Sequence, residues 1–125
     1  MKKRYSLKKR RDFQKVYRRG TAVASKYCVL ISSRSRFGML KVGFSASKKI
    51  GNSVQRNRAK RLMREAFRAE MANLRTDRAY IVVARSPIVE ANMEEVRCAL
   101  RSLMEKSGVL VERHEEVPAG PAETV

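Results

Sequence analysis

At 125 residues the chain has room for one domain with a modest core, and its 29 Lys and Arg against 12 Asp and Glu leave a net charge of +17. No apolar run reaches the roughly 18 residues of a membrane span, and the basic opening MKKRYSLKKRRDF leads into no apolar segment of the kind a secretory signal needs, so a cytoplasmic location is expected. The charge is lopsided: residues 1–64 hold 21 basic side chains against Asp12 alone, whereas residues 65–125 hold 8 against 11 acids. A merely solvated surface would intersperse acids, so this excess points to a polyanionic partner.

In chain order, the first predicted element is a helix over residues 6–20. Phe13, Val16 and Tyr17 form one apolar stripe, Gly20 is placed to end it, and Arg10, Arg11, Lys15, Arg18 and Arg19 occupy the rest. Residues 27–33 (YCVLISS) and 40–46 (LKVGFSA) read as strands, and the polar RSRFG between them suits a hairpin loop. A further short strand fits near residues 20–24. The spacing then predicts a long helix over residues 53–74. Ala59, Leu62, Met63, Ala66, Phe67 and Leu74 fall on one face, with Asn57, Arg61, Arg64, Arg68 and Arg75 nearly opposite.

Residues 79–84 (AYIVVA) are continuously apolar, as in a strand covered on both faces. A last helix is predicted over residues 93–106, with Asn92 and Glu95 as a capping box, Gly108 past the end, and Val96, Ala99, Leu100 and Leu103 as its core stripe. Residues 1–108 are thus expected to form the domain, and the acidic residues 109–125, with Pro118 and Pro121, a flexible tail. Cys28 and Cys98 lack any CxxC or histidine context and read as buried hydrophobes. The expected fold is an α/β (α+β) sandwich. A small mixed sheet carries an N-terminal helix, a long Arg-rich crossover helix and a C-terminal helix, and a right-handed crossover is the default.

Catalysis by protein side chains finds little support. A metal nuclease needs clustered carboxylates or histidines, but the basic half offers only Asp12, and the sole histidine, His114, lies near the end. Gly51 stands alone in GNSVQRN, which lacks the lysine-serine ending of a phosphate-cradling loop. Binding fares better. Arginine forks match phosphate geometry and keep their charge, and Arg61, Arg64 and Arg68 recur about once per turn on one helix face, with Asn57 at the head. Glu65 and Glu70 fall off that ladder. Phe13 and Tyr17 fit either a core stripe or a platform for stacking unpaired bases, and pattern alone favours the core.

The stretch from Ser45 to Arg64, SASKKIGNSVQRNRAKRLMR, resembles the signature of the protein subunit of bacterial ribonuclease P, S-x-x-K-K-x-G-x-A-V-x-R-N-R-x-K-R-L-x-R, departing only at Ser53 where alanine is frequent. DFQKVYRRG at 12–20 and RAYIVVAR at 78–85 match as well. The resemblance implies a fold like the second domain of a small-subunit ribosomal protein, with a left-handed crossover around the Arg-rich helix. It implies two partners, a catalytic RNA subunit and the 5′ leader of precursor tRNA. Mg²⁺ would be held mainly by RNA, with no catalytic side chain, small-molecule cofactor or membrane involved. Carried over residue by residue, Arg56, Asn57, Arg58, Lys60, Arg61, Arg64 and Arg68 would contact RNA, extended by Ser47, Lys48 and Lys49. Phe13 and Tyr17 would line the leader cleft. Ile31 would face it too, where some relatives carry an aromatic. The rival expectations are a ribosomal or ribosome-assembly RNA-binding protein and, less in keeping with the strands, a helix-turn-helix DNA binder.

Overall fold

A computed structural model describes residues 3–111. Helix α1 (Arg10–Arg19) buries Val16, and the Gly20 amide closes it on the Val16 carbonyl. It begins later than expected because residues 6 and 7 are otherwise engaged. Ser6 forms a parallel bridge to Val42, and the Leu7 amide donates to the Val42 carbonyl. Strands β1 (Thr21–Ala24) and β2 (Cys28–Arg34) form the only hairpin among the described residues. Its turn is fastened by Ser25, whose hydroxyl donates to the Cys28 carbonyl.

Strand β3 (Lys41–Ser45), helix α2 (Ser53–Glu70), strand β4 (Arg78–Ala84) and helix α3 (Met93–Ser107) complete the fold. The sheet order is β1-β2-β4-β3, antiparallel except for the β3–β4 pair. The hairpin expected between β2 and β3 is therefore corrected. Their link is a tight loop, with Gly38 at φ 71° and the Ser35 hydroxyl donating to Met39, yet β4 inserts between the two strands. The loop is instead tied to β4's approach by the Ser35 amide, which donates to the Asp77 carbonyl. As its apolar run foretold, β4 is central.

Both sheet faces are covered, giving the expected sandwich. On one face Leu30, Val42, Tyr80 and Val82 meet Ala59, Leu62, Met63, Ala66 and Phe67 of α2 and Val96, Leu100, Leu103 and Met104 of α3. On the other, Ile31, Ala79 and Ile81 meet Leu7, Val16 and Phe13. Glu70, only 9% exposed, accepts from Arg101 and pins the end of α2 to α3. That end falls short of residue 74, since the turn Met71–Asn73 follows and buried Leu74 bridges to Leu110 instead. Asn92 and Glu95 form the anticipated capping box, and Gly108 takes the left-handed conformation (φ 72°) past α3.

The folded unit also runs beyond residue 108. Val109 is buried, its carbonyl accepts from Arg75, and the Val111 amide donates to Asn73. The remainder of the expected tail lies outside the described residues. Among the described residues no helix is long and apolar enough to cross a membrane.

The two cysteines part company. Cys28 is buried on β2, where desolvation pushes its thiol up to about 11. Cys98 is exposed on α3, contrary to expectation, because the core stripe passes through Val96 and Leu100 and leaves position 98 to solvent. Since the thiolate is the reactive form, iodoacetamide at pH 8 should modify Cys98 and spare Cys28 in the folded protein. Mass spectrometry of tryptic peptides would read this directly, and equal labelling would contradict the packing of β2.

Candidate nucleic-acid interface

The approach to α2 is set by three local devices. Ser47 caps the short 3-10 turn Lys48–Ile50, its hydroxyl accepting from the Lys49 amide at 3.3 Å, while Ile50 is buried. Gly51 then adopts φ 145°, a conformation that L side chains rarely take, and a methyl group there would overlap the Gln55 carboxamide. That carboxamide is needed, because Asn52 and Gln55 form a reciprocal capping box at 2.9 and 3.0 Å. The first turn of α2 holds no acid. Positive partial charge from the helix terminus therefore adds to the exposed Ser47–Lys49 approach rather than being offset.

Along α2 the buried stripe turns Asn57, Arg61, Arg64 and Arg68 outward. Among the described residues every salt bridge falls between residues 65 and 105, so Arg61 and Arg64 face no acid. Arg64 lies over the Phe44 ring, 5.7 Å from its centroid, which steadies the guanidinium without neutralising it. Arg56 and Lys60 are half-buried flanks of this face, and the Arg56 Nε has no partner.

Three expectations about the ladder change. Glu65 does reach it, pairing with Arg68 at 2.8 Å one turn along, so the upper end is compensated. Arg75 lies outside the helix and pairs with Asp77, which holds that carboxyl below its usual range. Arg58 turns inward, its Nη1 donating to the Val89 carbonyl at 3.1 Å and its Nη2 to Ala91 at 2.8 Å.

On the opposite sheet face, Phe13 is half-buried over Gly43, where any side chain would overlap its ring. Ile31 packs in the same cluster at 8% exposure, while Tyr17 is 45% exposed. Beside them the register sets Ala22 next to Ile31, and Ala24, Val29 and Val83 in a row. Ala22 and Ala24 are exposed and the two valines half-buried, so α1 leaves a strip of small apolar side chains open next to an available tyrosine. Sequence reasoning missed this strip, although alternation in VASKYCVLI carries the signal.

A family model described as Ribonuclease P matches residues 1–108. The chain belongs to the ribonuclease P protein family. A "Ribonuclease P protein component" from Bacillus pumilus is 44% identical over 110 residues, 87% of this chain and 92% of that protein. One from Listeria monocytogenes is 37% identical over 114 residues, 90% and 96% of the two chains. The solved RNase P protein of Staphylococcus aureus superposes with a TM-score of 0.77 at 31% identity, covering 85% of this chain and 97% of that one. The Thermotoga maritima RNase P protein, solved with a fluorophenyl thiourea, gives 0.72 at 25% identity over 80% and 97%. Within this ribonuclease P fold, the acid-free face of α2 and the open strip beside α1 are the two surfaces left without a protein partner of their own.

Proposed function

We propose that the chain is the protein component of a ribonuclease P ribonucleoprotein in the cytoplasm, assisting a catalytic RNA in removing the 5′ leader from precursor tRNA. The observation that carries the reading is the pair Arg61 and Arg64, exposed and without acids in a half-chain of net charge +20. Ser47, Lys48, Lys49, Arg56, Asn57 and Lys60 complete a phosphate-contacting surface on the catalytic RNA or the leader. Tyr17 and Phe13 stack on leader bases over the Val29–Val83 strip, with Ile31 packing beneath.

Chemistry belongs to the RNA in this reading. Asp12 is the only carboxylate in residues 1–64, and among the described residues no three His, Cys, Asp or Glu come together. This donor set does not fit a resident Mg²⁺, so the ion sits with RNA and substrate oxygens, and no step runs through protein side chains. The protein lowers the repulsion between crowded phosphates and holds the leader so that substrate outcompetes product.

Tyr17→Ala tests the leader half. Being exposed, it should leave the melting temperature unchanged, yet weaken precursor tRNA by about 5- to 100-fold, the worth of one stacked base. Binding of mature tRNA should not move. Equal losses for both RNAs would remove Tyr17 from the cleft. Phe13→Ala is a poorer probe, since its ring also packs on the sheet.

A further inference from the structure

Between the Lys48–Ile50 turn and the start of a second 3-10 turn, Ser86–Glu90, lies a cleft of about 390 Å³. Ser47 and Lys49 form one wall, Arg85 and Ser86 the other, and Ile50 and Ala84 lie between them. No acid lines it. Two cations and two hydroxyls converging on one cleft are a donor set for a phosphodiester oxygen pair. Arg85 gives one donor, Nη1, to the Ser25 carbonyl at 2.9 Å, which steadies the side chain and leaves the rest of its fork available.

The far wall depends on Arg58. The turn carrying Ser86 is short, anchored in the core through Ile88, and its last carbonyls need donors. The Arg58 fork supplies two at once, to Val89 and Ala91, from an adjacent turn of α2. A lysine, with a single nitrogen, cannot span both carbonyls. A guanidinium so engaged has little left for RNA.

We propose that this cleft seats an RNA phosphate and that Arg58 is a positioning residue holding its far wall, not itself a phosphate ligand. The inference rests on α2 being an RNA-facing helix and adds to that reading a second contact on the β4–α3 connection. The phosphate could be supplied by the catalytic RNA or by the leader, so binding is measured separately to the organism's ribonuclease P RNA and to a single-stranded leader oligonucleotide.

The experiment is the salt dependence of binding for full-length protein carrying Arg85→Gln, Arg58→Lys, both, or Arg61→Gln. Arg85→Gln should flatten the slope of log K against log salt by about 0.7–0.9, one phosphate, in one of the two arms, which names the source. Arg58→Lys keeps the charge but should lose the same increment, and the double variant should lose no more. Ser86→Asp reaches the cleft without touching Arg58, and should weaken the same arm at least about tenfold with an unchanged melting temperature. An unchanged slope for Arg85→Gln in both arms, with Arg61→Gln flattened, would overturn the cleft. A wild-type slope for Arg58→Lys would overturn its positioning role. If Arg61→Gln also left the slope unchanged, the RNA reading of α2 would itself fall.

Discussion

Replacing Arg61 and Arg64 together by alanine should reduce affinity for ribonuclease P RNA by at least about 100-fold near physiological salt, while leaving the fold as stable or slightly more so. Each hydrogen bond from a charged donor is worth about 1.5–3 kcal/mol, and about 1.4 kcal/mol is tenfold in affinity. The melting temperature should not fall, because both side chains are exposed and neither is tied to an acid. Alanine is the better helix former, and removing two guanidiniums three apart relieves like-charge repulsion. Affinity and stability should thus move in opposite directions or not together. Fluorescence anisotropy and a thermal melt on one preparation read both. Loss of stability with unchanged affinity would mean these arginines serve the fold. Cleavage of precursor tRNA at limiting Mg²⁺ should lose the protein's stimulation in the same variant.

Phe67→Ala should have the largest effect on stability, about 3–5 kcal/mol. The ring is fully buried, edge-on to Phe44 at 5.9 Å and to Tyr80 at 5.5 Å between centroids. A domain with roughly 5–15 kcal/mol in total would keep little margin, and the melting temperature should drop by roughly 10–30 °C. The consequence reaches the RNA face, because Arg64 rests on the Phe44 ring that Phe67 supports. Tyr80→Phe is the control, removing only the hydroxyl that donates to the Arg75 carbonyl at 2.8 Å, at about 1 kcal/mol. A drop of only a few degrees for Phe67→Ala would mean the α2–sheet interface is not the main core.

Much of this was legible beforehand where physics is local. The stripes of α2 and α3 follow from 3.6-residue spacing, the Asn92–Glu95 cap from two residues three apart, and the central place of β4 from its unbroken apolar run. The β2–β3 hairpin misled because RSRFG reports a turn, which exists, and not which strand lies beside which. Arg58 was grouped with its neighbours because the carbonyls it serves lie 31 and 33 residues away. The Glu65–Arg68 pair was readable from its spacing, but the helical wheel put the acid off the ladder and ignored the reach of both side chains. Tyr17 and Phe13 looked equivalent on a wheel, and only the sheet beneath, with Gly43 under one ring, separates them.

The strand order has a consequence for how the chain is made. Because β4 lies between β2 and β3, residues 41–45 have no strand to pair with until residues 78–84 have been synthesised. The sheet cannot grow in the order of translation. Its last strand is its keystone, and both neighbours wait for it across long loops whose closure costs entropy before any contact repays it. Until then a nascent segment with 21 positive charges and a single acid repels itself. Collapse is therefore a late, concerted event, triggered when the apolar AYIVVA segment arrives to satisfy two edges at once.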